Sequence, residues 1–345
     1  MLELILLSVA KVMGIVMVFV MAVAALLTWI ERKQSALIQN RVGPNRASVA
    51  GLRLGGIFHL AADAVKMLTK EDFDPETDNP LMFRLAPFLA VVPVMLLFAV
   101  IPFGPGEHFL ISNVGVGALF ILAVSSLGVY GSTIGAWASN NNFAMLGSIR
   151  TTAQMISYEV SMGLNLVGIF MIYESVNLQD IVIEQGSLIW GWLPAWGIVL
   201  QPLAFILFMT ASIAETKRAP FDLPEGESEI VGYFVEFSSM RFGLLALSEF
   251  IGIVAVGATA AVLFLGGWQI PWVQGTGGWL TVAQVGAMIL KTLFVVWLQM
   301  AIRWTLPRFR YDQLMRLGWQ YLLPLSLLNI FITGVVLMFV EQGRI

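Results

Sequence analysis

The chain has 345 residues, of which 58% are hydrophobic and 12% charged, with a formal net charge of -3, two histidines and no cysteine. A water-soluble domain carries about 25% charged residues, so half of the usual polar coat is missing and a soluble enzyme is excluded. Lysine and arginine form no run that could track phosphates, which sets nucleic acid aside, and the lack of cysteine excludes disulfides, thiolate metal sites and Cys-ligated iron–sulfur clusters.

Apolar runs near 9–30, 83–102, 115–138, 153–173, 196–214, 242–266, 285–306 and 321–341 each approach the ~20 residues that cross a bilayer core about 30 Å thick. The expectation is an all-α membrane protein, a bundle of about eight transmembrane helices forming one polytopic domain over residues 1–345. The first run follows the acidic Glu3 and lacks the basic stretch and small-residue cleavage site of a secretory signal, so it reads as a retained helix.

A long segment separates the first two runs. Within GGIFHLAADAVKMLT, residues 55–69, Ile57, Leu60, Ala61, Ala64, Val65 and Leu68 fall on one helical stripe, with Asp63 and Lys66 off it. The pattern suits an amphipathic helix lying in the membrane interface, although an ordinary surface helix would show it too. KEDFDPETDNP, residues 70–80, is acidic and proline-punctuated and reads as a solvated turn open to a partner. His59 and His108 are too far apart in the chain, and in contexts too different, to suggest paired haem ligands, and no metal site is predicted.

Basic residues set the orientation. The first connection holds Arg32, Lys33, Arg41, Arg46, Arg53, Lys66, Lys70 and Arg84; the third holds Arg150, the fifth Lys217, Arg218 and Arg241, and the seventh Arg308, Arg310 and Arg316. The connections at 103–114, 174–195 and 267–284 hold none, so the positive-inside bias places both termini outside. Trp268, Trp272 and Trp279 read as interfacial anchors.

Four charges fall where lipid should not tolerate them: Glu159, Glu215, Glu249 and Lys291. An ionised group at such depth costs about 2.5–3.5 kcal/mol on insertion scales, so these side chains should face protein or water and serve ion movement. Glu249 and Lys291 could instead form a structural pair, but three carboxylates against one lysine leave a surplus, which favours proton handling. The densest cluster is AETKRAPFDLPEGESE, residues 214–229. A helix opened by Pro224 would put Glu225, Glu229 and Glu236 on one face, with Glu227 elsewhere. Acids in a first helical turn are ordinary dipole complements, yet Asp222, Glu225, Glu227 and Glu229 together repel one another and would answer a nearby change of charge by taking up protons.

The stretches ERKQSALIQNRVGPN at 31–45, HLAADAVKMLTKEDF at 59–73, RTTAQMISYEVSM at 150–162, AETKRAPFDLPEGESE, and RWTLPRFRYDQLM at 303–315 resemble the quinone-chamber membrane subunit family of respiratory complex I, over about residues 20–340. The resemblance implies eight membrane helices joining the membrane arm to the peripheral arm in an energy-transducing membrane, most simply that of a bacterial cell. It implies quinone as substrate, no covalently bound cofactor, flavin and iron–sulfur clusters held by peripheral-arm subunits, and antiporter-like membrane subunits and lipid as further partners. By position, Glu31, Arg32, Arg41, Asp63, Arg218 and Phe221 resemble residues that line or brace the quinone tunnel, with Asp222 beside them. Glu159, Glu215, Glu225, Glu227 and Glu229 resemble the acidic path into the membrane, with Asp222 again part of the coupling cluster, while Arg303, Arg308, Arg310 and Asp312 resemble a structural or docking motif.

Two departures stand out. Asn142 and Phe143 occupy positions where the family often has Lys then Tyr, and Lys217 replaces a common Asn, so any cation that tunes Glu159 would have to come from elsewhere, for instance Lys291. A membrane-bound hydrogenase-type subunit and a stand-alone secondary transporter are the rival readings. The first is disfavoured by the fullness of the motifs, and the second by an acid cluster in an internal loop in place of matched broken helices.

Overall fold

The computed structural model describes residues 8–49, 51–76, 79–223, 232–273 and 277–342. The chain is all-α, as its apolar runs require: α1 is Ser8–Ile38, α2 His59–Thr69, α3 Pro80–Ala99, α4 Gly117–Ala138, α5 Asn142–Tyr173, α6 Pro202–Glu215, α7 Ser239–Phe264, α8 Gly278–Thr305 and α9 Tyr311–Val340. Among the described residues the strands are one antiparallel pair, Leu188–Ile189 with Leu193–Pro194. In lipid every backbone N–H and C=O must be satisfied internally, which leaves the helix as the natural form of such runs.

Local sequence sets the ends. Proline opens α3 and α6, where a missing N–H costs nothing. Asn141 caps α5 by accepting from the backbone of Phe143 at 2.9 Å and Ala144 at 3.4 Å. Leu306, just before Pro307, leaves the helical region and ends α8.

Seven helices among the described residues are long and apolar enough to cross a membrane. The predicted run at 196–214 is divided into a short turn, Gly197–Leu200, and the 14-residue α6, with Gln201 non-helical between them. Several predicted boundaries move outward, that of α9 from 321 to Tyr311 and that of α8 from 285 to Gly278 among them. Helix α1 continues past Ile30 to Ile38, and α5 starts at Asn142, which places Arg150 inside a helix and not in a connection. Hydropathy marks only the apolar part of a helix, whereas the backbone ladder persists as long as protein covers its polar faces.

Helix α7 is the most enclosed of the long spans, and its burial fixes the depth of Glu249. Backbones approach closely where glycine permits. A Cβ added at Gly131 of α4 would lie 2.6 Å from the amide nitrogen of Ala90 in α3, and one at Gly257 of α7 would lie 2.8 Å from Val296 of α8. Around the connection between α7 and α8 the anchor expectation splits: Trp272 and Trp279 are exposed, but Trp268 is buried in the core.

Candidate functional site

A cavity of about 820 Å³ lies between α1, α2 and the first half of α7. Six charged residues converge on it: Glu31 and Arg32 from α1, Arg41 just beyond that helix, Asp63 from α2, Arg218 after α6, and Arg303 from the last turn of α8. The remaining wall is mostly apolar, with Leu60 and Met67 of α2 facing Leu247 and Phe250 of α7. Thr28, Glu31 and Ser35 recur at three and four residues, which turns one face of α1 toward the cavity.

Helix α2 corrects the stripe read from the sequence. His59, Leu60, Asp63, Ala64, Met67 and Leu68 line the cavity, whereas Ala61, Val65 and Lys66 border a separate groove on the opposite side. Asp63 is drawn to the apolar side because Arg32 holds it at 2.7 Å across the cavity. His59 is satisfied, its Nε2 accepting from the Ala47 backbone at 3.3 Å.

The charges form a linked set. Glu31 is buried and paired with Arg303 and, at 3.3 Å, with Arg218. Arg218 reaches Glu249 of α7, also at 3.3 Å, and its guanidinium lies 4.3 Å from the Phe250 ring centroid. Buried ions are tolerated only in such company, because desolvation alone costs several kcal/mol per ion.

Beyond Arg218 a second cavity of about 80 Å³ is lined by Glu249, Glu215, Lys217, Ser125 and Ser248. Tyr233 donates to Glu249 at 3.4 Å, and the Lys217 ammonium lies 5.0 Å from the Tyr233 ring centroid. A third space of about 30 Å³ shares Glu215 and Ser125 and continues to Thr259 of α7. Glu159 stands beside Ser126 and Glu215 beside Ser125, consecutive residues of α4. An ordered line of titratable groups therefore runs from the large cavity into the bundle: Glu31, Arg218, Glu249, Glu215, Glu159.

Other expected site residues sit elsewhere. Phe221 is buried, stacked on Phe309 with centroids 5.4 Å apart and packed on Tyr158, so it braces the loop after α6 and does not line the cavity. Asp222 pairs with Arg308 at 2.7 Å, which supplies a positive charge that the repulsion expected from sequence left out. Glu225, Glu227 and Glu229 lie outside the described residues. Glu236 is not on a helix: residues 233–236 form a turn, and its carboxylate accepts from the Asn141 amide at 2.7 Å.

The pairing of Glu249 with Lys291 does not occur. Lys291 donates to the carbonyls of Gly267 at 2.9 Å and Gln269 at 2.6 Å and lies 4.4 Å from the Trp196 ring centroid, so it serves neither Glu249 nor Glu159. Arg303, expected to be structural or to dock, instead lines the cavity. Its signal was available in the sequence, as an arginine still inside the helical turn of an apolar run.

The profile of the NADH dehydrogenase family matches residues 10–334. The chain belongs to the NADH dehydrogenase family. Among its relatives, an NADH-quinone oxidoreductase subunit of Geobacter sulfurreducens is 47% identical over 329 residues, covering 93% of this chain and 94% of the relative. The corresponding NADH-quinone oxidoreductase subunit of Thermomicrobium roseum is 46% identical over 342 residues, 96% of each chain. That of Cytophaga hutchinsonii is 42% identical over 329 residues, 92% of this chain and 93% of the relative. The span matched by the family profile contains the whole cavity and the whole acidic line.

Proposed function

We propose that the chain is a polytopic membrane subunit of a proton-translocating NADH:quinone oxidoreductase, forming the membrane part of the quinone tunnel and an acidic path that couples quinone reduction to proton movement. The names of its relatives support the complex. The cavity supports the substrate class, because an apolar wall with a few convergent charges suits a molecule with a polar ring and an apolar tail. The observation that carries the reading is Arg218, which grips Glu31 on the cavity wall and Glu249 on the wall of the next space inward.

Reduction of a quinone draws two protons and two electrons. The electrons come from peripheral-arm subunits bearing flavin and iron–sulfur clusters, in keeping with a chain that has no cysteine to hold such a centre. Negative charge arising in the cavity competes for Arg218 and loosens its hold on Glu249, which then takes up a proton and passes it by Glu215 and Glu159 toward antiporter-like neighbours. At an effective dielectric near 20, charges about 4 Å apart interact by about 4 kcal/mol, enough to drive such exchange. The bias of basic residues toward alternate connections supports a cavity side facing inward and both termini facing outward in a bacterial energy-transducing membrane.

The variants Glu215→Gln and Glu159→Gln test the path. Both should assemble, yet turnover coupled to proton uptake in vesicles should fall about tenfold, equivalent to about 1.4 kcal/mol. Full coupling in both would overturn the path, and unaltered quinone kinetics in Arg218→Ala would overturn the cavity assignment.

A further inference from the structure

Helix α2 forms one wall of the large cavity, yet none of its residues is buried, so hydrophobic packing does little to fix its position. A polar seam holds it instead. Ser239 donates to the carbonyl of Met67 and Ser238 to that of Glu71, each at 2.8 Å. Arg241, two residues into α7, grips Asp72 at 3.0 Å and also Asp74, which Arg84 of α3 holds from the other side through its Nε at 3.0 Å. The Arg241 guanidinium rests against Phe83, 5.6 Å from its ring centroid, and Phe83 is stacked on Phe237 at 4.3 Å. The segment that reads as a solvated turn is thus strapped down by two arginines. The carboxyl of Asp74 is held at about 2 by Arg84 and Arg241, so the strap stays charged.

The seam coincides with the cavity wall. Met67 and Leu68 on α2 face Met240, Gly243 and Leu247 on α7, and a Cβ at Gly243 would meet the Met67 sulfur at 2.8 Å. The two helices are therefore in contact where the strap draws them together.

We propose that Arg241, by gripping Asp72 and Asp74, is a positioning residue that sets the separation of α2 and α7 and so the fit of this wall to the apolar tail of a quinone. The inference rests on the quinone reading of the cavity. Arg241 touches no substrate. It acts through the helices it joins, and through the tail more than the ring, because the wall at the seam, Met67 and Leu68 against Met240, Gly243 and Leu247, is apolar, whereas the charges that would meet a ring are Glu31, Arg32, Arg41, Asp63, Arg218 and Arg303.

The experiment compares Arg241→Ala, Arg241→Lys and the unaltered complex in membranes, with a long-tailed quinone and a tail-less one. Arg241→Ala should raise KM for the long-tailed quinone about five-fold, leave kcat within about two-fold, and leave KM for the tail-less quinone unchanged. Arg241→Lys, which keeps the charge but cannot fork between two carboxylates, should recover part of that loss. Equal KM changes for both quinones, or none, would overturn the proposal. Should Arg241→Ala fail to assemble, Asp72→Asn, which removes one arm of the strap, is read against the same outcomes. A photoreactive long-tailed quinone applied to the unaltered complex separates the two levels. Labelling absent from α2 and α7 sinks the quinone reading, whereas labelling present with an unchanged KM ratio sinks the strap alone.

Discussion

Arg218 and Glu249 meet at 3.3 Å across the boundary between two cavities, one walled by the arginine and the other by the glutamate. Removing the arginine would strip a guanidinium from the buried carboxylate of Glu31 and the partly buried one of Glu249. Breaking such a set by deleting one partner costs about 3–5 kcal/mol. Arg218→Ala should therefore reduce the amount of assembled complex sharply on a native gel, and adding Glu249→Gln should restore part of it. A double variant no better than the single one would show that the two residues are not energetically coupled.

Backbone contact at Gly131 makes a second prediction. Gly131→Ala would push a methyl group into the amide of Ala90 and should destabilise by about 1–3 kcal/mol, seen as a lower Tm of the detergent-solubilised complex. At Gly286 of α8 an added Cβ meets nothing within 4 Å, so Gly286→Ala should hold Tm or raise it slightly, as alanine is the better helix former. Equal effects at the two positions would contradict the packing of α3 on α4.

Lys291 should prove structural. Its ammonium ties two carbonyls of the connection after α7, and hydrogen bonds from a charged donor contribute about 1.5–3 kcal/mol. Lys291→Met should lower thermal stability while the ratio of protons moved to electrons transferred holds. A changed ratio with unchanged stability would return Lys291 to the proton path.

The strap at Asp74 should ignore physiological pH. Its carboxyl lies at about 2 instead of the ordinary 3.8, through hydrogen bonds from Arg84 and then Arg241. A lowered value means that the charged form favours the folded state. That contribution is complete above 3.8 and fades only as pH falls toward 2. The KM effect of Arg241→Ala should accordingly be the same at about pH 6 and about pH 8, well above the range in which a carboxylate of this kind titrates. An effect that shrinks at the lower pH would mean that Asp74 is not held as described.

Much of this arrangement was readable from residues. Lipid leaves the chain few choices, so apolar length alone located the helices, and charges at depth pointed to Glu159, Glu215 and Glu249. What could not be read were partners distant in sequence. Arg218 and Glu31 are 187 positions apart, and no local pattern could prefer Arg218 over Lys291 as the companion of Glu249. The orientation of α2 also escaped, because a salt bridge to Arg32 outweighed the hydrophobic stripe. The acidic segment at 70–76 looked solvated for the same reason, since its arginines lie in other helices.

The brevity of α6 decides which groups stand at its end. Fourteen residues rise about 21 Å, well under the roughly 30 Å thickness of the hydrocarbon layer. The helix stops with Glu215 as its last residue, and the chain beyond it runs as loop, steadied where the single amide of Gln154 donates to the carbonyls of Ala214 at 2.7 Å and Phe221 at 2.9 Å. A stub of this length ends in an acid that lines two small internal cavities. Two more helical turns would fill that space with backbone and lift Arg218 away from both of its carboxylates, so the early end of α6 is what lets one arginine join Glu31 to Glu249.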